Sequence, residues 1–139
     1  DQSSSRGLGD VYKRQKVDRS IKNDNENINS QARNLFKNGW SLMVYPQGTR
    51  AQKENFLPFK SGAFHIALEN NVPILPVVIA GTGDIWPKGS KFMKSGKAII
   101  NTLDPIDITK YTKDTIDELV FETQEKMAKV YKELTDSIK

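Results

Sequence analysis

An α/β fold, with a mixed and largely parallel sheet flanked by helices, is what this sequence predicts. Three observations carry that reading. Two apolar runs of strand length, "WSLMVY" (Trp40–Tyr45) and "ILPVVIAG" (Ile74–Gly81), bracket a segment with helical spacing. A run that is apolar at nearly every position fits a strand covered on both faces, as strands of parallel sheets are. Strand, helix and strand in that order make a βαβ unit with a right-handed crossover. The third observation is a long stripe of apolar residues near the end of the chain that repeats every 3.6 residues.

Taken in order, residues 1–15, "DQSSSRGLGDVYKRQ", show no periodicity and read as a tail. That tail is either an ordinary flexible N-terminus or an artefact of sequence assembly, and it is set aside from the fold. Residues 16–139 form the domain, with the core expected from Ile28 onward. A short extended piece and a polar loop lead into Ile28, Ala32, Leu35 and Phe36, which recur at helical spacing before Gly39 as a C-terminal stop. After "WSLMVY" comes the loop "PQGTRAQKENFLPFK". A helix then opens with Ser61 as N-cap, buries Phe64, Ala67 and Leu68, and ends at Asn70, Asn71 and Pro73.

Pro76 interrupts the next run. Proline gives no donor to a sheet ladder, so the strand starts after it, or Pro76 marks an edge or bulge. "KAIINTL" (Lys97–Leu103) is a further strand, and "DPIDI" a short extended segment. From about Asp114, the residues Ile116, Leu119, Val120, Met127, Val130, Tyr131, Leu134 and Ile138 trace the final helix, with Thr115 and Glu118 as its capping box.

Composition narrows the functions. The 139 residues carry 21 basic and 17 acidic side chains, a net charge of +4 that favours anionic partners without choosing among them. With no cysteine, thiolate metal sites and Cys nucleophiles are excluded, and a single histidine, His65, excludes a multi-His metal site. No metal ligand set is expected. No apolar run approaches the roughly 20 residues that span a bilayer, and no signal-peptide pattern appears. The basic residues are scattered and show no groove-reading motif, so a nucleic-acid partner is not expected.

The chemistry gathers around "VYPQGTR" (Val44–Arg50). A strand that ends in Pro-x-Gly turns sharply, and Gly48 admits close approach of a ligand to the backbone. Thr49 offers a hydroxyl, and Arg50 a fork of donors suited to phosphate. Lys60 stands just before a helix start, where free N–H groups also favour an anion. Arg19 adds a cation from the first extended piece. Together they suggest a phosphate-holding pocket.

"VYPQGTR" followed by "FKSGAFHIALENNVPILPVVIAGT" resembles the third and fourth sequence blocks of the glycerolipid acyltransferases, and "VDRS" (Val17–Ser20) resembles the second. The likeness is nearest to the 1-acyl-sn-glycerol-3-phosphate acyltransferase type. It implies a glycerol-phosphate acyltransferase-like fold, incomplete at the N-terminus. It also implies transfer of a fatty acyl group from acyl-CoA or acyl carrier protein to the hydroxyl of a lysophospholipid. Neither carrier is a bound cofactor; each serves as co-substrate. By the same resemblance Arg19 and Arg50 grip the acceptor phosphate, Gly48 and Thr49 shape the turn, Lys60 adds positive charge, and "VPILPV" borders the acyl side of the cleft. A peripheral place on the cytoplasmic face of the membrane follows. In that setting the loop with Lys88, Lys91, Lys94 and Lys97 either faces anionic headgroups, with Trp86, Phe92 and Met93 at the interface, or is an ordinary exposed β-connection.

Two departures stand out. The family motif has Glu where this chain has Gln47, expected to act as a positioning group. The family's first block, a His, four residues and an Asp, is absent, so no catalytic residue is assigned and the chain alone is expected to be inactive. His65 with Asn70 mimics that spacing but falls inside a helix, where a histidine is a packing residue. The alternative reading is a noncatalytic phosphate- or lipid-binding module that has lost the His–Asp dyad.

Overall fold

The computed structural model describes residues 25–49 and 56–138. Among them the order is α1 (Asn25–Lys37), α2 (Gly62–Asn70), β1 (Val77–Ala80), α3 (Thr82–Ile85), β2 (Ile99–Thr102) and α4 (Ile116–Ile138). Helix α1 stops as its sequence dictates. Gly39 takes φ +73°, its N–H reaches Phe36 O at 3.0 Å, and Trp40 N–H reaches Leu35 O at 3.0 Å. Those are the two bonds of a Schellman cap. Asn71, at φ 51°, closes α2 in the same way through Ala67 O and Leu68 O.

The N-terminal caps are built differently from expectation. Ser61 does stand at the N-cap of α2, but its hydroxyl makes no capping bond; its carbonyl accepts from Phe64 and His65. Thr115 stands just before α4, yet its hydroxyl accepts from Thr112 N–H at 2.9 Å. Glu118 N–H bonds the Thr115 carbonyl at 3.1 Å, so the expected capping box gives way to a turn that engages the hydroxyl first.

The sheet corrects the largest expectation. β1 pairs with β2 in antiparallel register, Val77 opposite Thr102 and Ala80 opposite Ile99. Among the described residues the sheet has these two strands alone, and the expected parallel pairing of β1 with Trp40–Tyr45 is not part of it. An apolar run becomes a strand only when a neighbour supplies ladder partners. Here Trp40 is held by the cap of α1, and Tyr45 O accepts from Gly48 N–H at 3.0 Å.

Strand β1 does begin directly after Pro76, whose carbonyl accepts from Leu103 N–H at 3.0 Å. Pairing resumes at Ile74 and Ile106. One residue lies between Ile74 and Pro76, whereas two lie between Leu103 and Ile106. The extra residue is a bulge at Asp104–Pro105, beside a proline that lacks a donor.

One face of β1 lies against α4, where Val78 and Ala80 are 2% and 1% exposed. The main core joins Phe64, Ile106, Ile108, Ile116 and Leu119, flanked by Phe59, Ile74, Tyr111 and Val120. The predicted stripe of α4 is buried or half-buried along its length. Thr123, a polar member that periodicity passed over, is buried in it and donates its hydroxyl to Leu119 O at 2.7 Å. Helix α1 packs on α2 and buries Ala32. Glu69 ties these parts together, accepting from Asn29 and pairing with Lys113 at 3.1 Å.

Candidate functional site

The turn at Pro46–Thr49 grows from local chemistry. Proline at the second position fixes φ, and glycine at the fourth suits a tight turn closed by Gly48 N–H to Tyr45 O. Gly48 sits at φ +70°, a backbone region that side chains with a Cβ rarely adopt. The turn is stitched to the segment before α2 by two bonds. Lys60 N–H reaches Pro46 O at 2.9 Å, and the Gln47 side-chain amide reaches Leu57 O at a long 3.4 Å. That second bond gives physical sense to glutamine at this position. An amide donates to a carbonyl, and a carboxylate does not.

Lys60 crosses directly over the glycine. Its Cε and Nζ each lie 3.2 Å from where a Cβ on Gly48 would sit. A cation and a turn free of side-chain bulk therefore share one small surface. Lys60, Gly48 and Thr49 are all exposed, and Gln47 is half-buried.

The strut behind Lys60 was not legible in the sequence. Phe59 N–H donates to Gln124 Oε1 of α4 at 2.8 Å. Phe56 packs on Phe59 and on Tyr131, with ring centroids 5.4 and 5.6 Å apart. Phe59 in turn stacks on Phe64 at 6.3 Å. A polar residue inside an apolar helical stripe was the available signal for Gln124, and its partner lies 65 residues away.

Of the sequence-predicted site residues, the structure brings together Gln47, Gly48 and Lys60, with Thr49 continuing the turn. Arg19 and Arg50 lie outside the described residues. His65 is half-buried on α2, with its N–H bonded to Ser61 O. The Asn70 amide is engaged with Ile66 O at 2.8 Å. Residues five apart on a helix point to different sides, so His65 and Asn70 are helix residues rather than a dyad. Among the described residues no cluster of His, Cys, Asp or Glu could hold a metal ion.

Comparisons with known proteins converge on one family. The family model described as Acyltransferase matches residues 8–80. A 1-acyl-sn-glycerol-3-phosphate acyltransferase of Haemophilus influenzae is 37% identical over 123 residues, covering 88% of this chain and 50% of that protein. The enzyme of the same name from Saccharomyces cerevisiae is 37% identical over 112 residues, covering 78% of this chain and 37% of its own length. The crystal structure of the 1-acyl-sn-glycerophosphate (LPA) acyltransferase PlsC from Thermotoga maritima superposes with a TM-score of 0.69 at 32% identity. It covers 76% of this chain and 43% of that one. The chain thus spans half or less of the length of these relatives. With the family's sequence model over more than half of its residues and a fold shared over 76% of its length with that structure, the chain belongs to the acyltransferase family.

Proposed function

We propose that this sequence supplies the phosphate-holding half of an enzyme that acylates a lysophospholipid. The acceptor is 1-acyl-glycerol-3-phosphate and the product phosphatidic acid. The acceptor hydroxyl oxygen attacks the thioester carbonyl of acyl-CoA or acyl carrier protein. A C–O bond forms, the C–S bond breaks, and the hydroxyl proton leaves with the thiol. The observation that carries the reading is the Lys60 amine lying over the open Gly48 turn. Arg50, directly after Thr49, and Arg19 complete the grip on the phosphate. Gln47 holds the turn in register, so the hydroxyl is presented at a fixed distance from the phosphate. The names of the relatives favour lysophosphatidate as acceptor.

The single histidine of the sequence is the helix residue His65. We therefore assign the general base to a His-x4-Asp block outside these 139 residues, and the chain alone is inactive. Loss of a general base costs about 10²–10⁴-fold. This part of the enzyme sits peripherally at the cytoplasmic membrane surface, where its lipid acceptor lies. No helix among the described residues is long and apolar enough to cross a bilayer.

The test reads the gene upstream in frame and assays its full product with lysophosphatidate and either thioester. Acylation by the full product, with Lys60→Ala raising the acceptor KM about tenfold and sparing kcat, is the expected result. An upstream sequence without His and Asp, together with lysophosphatidate binding but no turnover, would instead establish the noncatalytic phosphate- or lipid-binding module.

A further inference from the structure

The stretch between β1 and β2 is bound into a defined shape while its apolar tip faces water. Gly81, at φ +83°, leaves no room for a side chain, because a Cβ there would meet Lys97 O at 2.1 Å. The two ends of the loop are thereby clamped together. Lys94 N–H reaches Ile85 O at 2.8 Å, and Ile85 packs so closely on Gly96 that a Cβ would lie 2.9 Å from it. Further out, the Trp86 indole N–H donates to Ser90 O at 2.9 Å. Ser90 N–H bonds Pro87 O at 3.0 Å, and the Ser90 hydroxyl bridges the backbone of Phe92. At the tip, Phe92 and Met93 are 80% and 68% exposed.

Hydrogen bonds that order a loop usually accompany burial of its large apolar residues; here they hold such residues outward. The same loop carries Lys88, Lys91, Lys94 and Lys97 against a single acid, Asp84, and all five are exposed. Apolar side chains ringed by lysine match one kind of partner, a bilayer with anionic headgroups above acyl chains. A nucleic-acid duplex, with its bases stacked on one another, would use the lysines but leave Phe92 and Met93 in water.

We infer that Trp86–Lys97 is the membrane-seating loop of this protein, with Phe92 and Met93 entering the acyl boundary and the four lysines meeting anionic headgroups. The inference deepens the lipid-substrate reading and rests on it for the nature of the partner. Its test is independent of catalysis. The 139-residue chain carrying Trp40→Phe leaves Trp86 as the single tryptophan. It is mixed with vesicles of phosphatidylcholine containing 30% phosphatidylglycerol, which hold no lysophospholipid.

The expected result is co-sedimentation, a blue shift of Trp86 emission, and quenching by brominated acyl chains. Phe92→Ser with Met93→Ser should weaken partition about a hundredfold. Each lysine of the loop changed to Gln should weaken it roughly fivefold. Matched changes at Lys129 and Lys132 on α4 should have no such effect. No sedimentation, sedimentation without change in Trp86 emission, equal loss from the α4 variants, or equally tight binding to duplex DNA would each overturn the inference. A failed acylation assay beside a seated loop would fault the substrate reading alone.

Discussion

Trp40–Tyr45 and Ile74–Ala80 look alike as strings, each a short apolar run that ends in a glycine-bearing turn, yet they meet opposite fates. In the second run Val78 and Ala80 lie beneath α4, and the strand is laddered to β2. In the first, Met43 and Tyr45 are 69% and 68% exposed, and the described residues include no ladder over it. Hydrophobicity of a segment states what it can bury, whereas the partner decides what it does bury. Here α4 is that partner, and it covers only one of the two runs.

Truncation at the covered run's partner gives the largest expected effect. Leu119 is wholly buried at the centre of the core, so Leu119→Ala should cost about 2–5 kcal/mol in unfolding free energy. Met43→Ser, the same kind of loss on the exposed run, should fall within about 0.5 kcal/mol of the parent. Urea melts of both variants check the contrast. Equal losses would mean that the first run is as covered as the second.

The two turn glycines sharpen the comparison one step down. Gly48 and Gly81 share a positive φ, so alanine at either carries the strain of a left-handed residue, about 1–3 kcal/mol. They differ in what a new methyl group meets. At Gly48 it meets the flexible end of Lys60, which can move aside; at Gly81 it meets the Lys97 backbone carbonyl at 2.1 Å. Gly81→Ala should therefore add an overpacking cost of about 1–3 kcal/mol that Gly48→Ala escapes. Thermal melts would show the difference. Gly48→Ala should instead disturb phosphate affinity, since it displaces the Lys60 amine.

What the sequence made legible follows the same division between local and distant causes. The stop at Gly39, the strand start after Pro76 and the stripe of α4 were readable because each is decided within a few residues. The pairing partner of β1 was not, because β2 lies 19 or more residues further on and nothing in "KAIINTL" states its direction. Thr115 was read correctly as the residue before α4 and incorrectly as a capping hydroxyl. Two groups compete for that hydroxyl, and Thr112 takes it. At the site, the turn of Gly48 was legible from Pro-x-Gly. The use of Gln47 was not, since Leu57 O enters only through the fold.

The smallest effects lie in the connection that carries β2 into α4, and they separate turn chemistry from packing. The Tyr111 hydroxyl donates to Glu122 at 2.8 Å, and that bond, with desolvation and the Glu122 charge, raises the Tyr111 pKa above 10.0. A raised folded pKa contributes stability that is complete below the unfolded value and fades as pH rises through the folded one. Tyr111→Phe should thus be slightly destabilising at neutral pH, with the difference closing above roughly pH 10.

Asp107 works in the opposite direction. Its carboxylate accepts from Thr109 N–H at 2.9 Å and from the Thr109 hydroxyl at 2.8 Å. The backbone bond first, and the hydroxyl second, hold its pKa below 3.8. A lowered folded pKa means that the contribution is present above the unfolded value and lost as pH falls through the folded one. Asp107→Asn keeps an acceptor for both bonds and loses only the charge. Its melting temperature should trail the parent's by a constant small margin from pH 7 to 5, and the margin should close below roughly pH 4. A margin that persists at lower pH would trace the effect to altered turn geometry. The carboxylate's charge would then have no part in how β2 is delivered to α4.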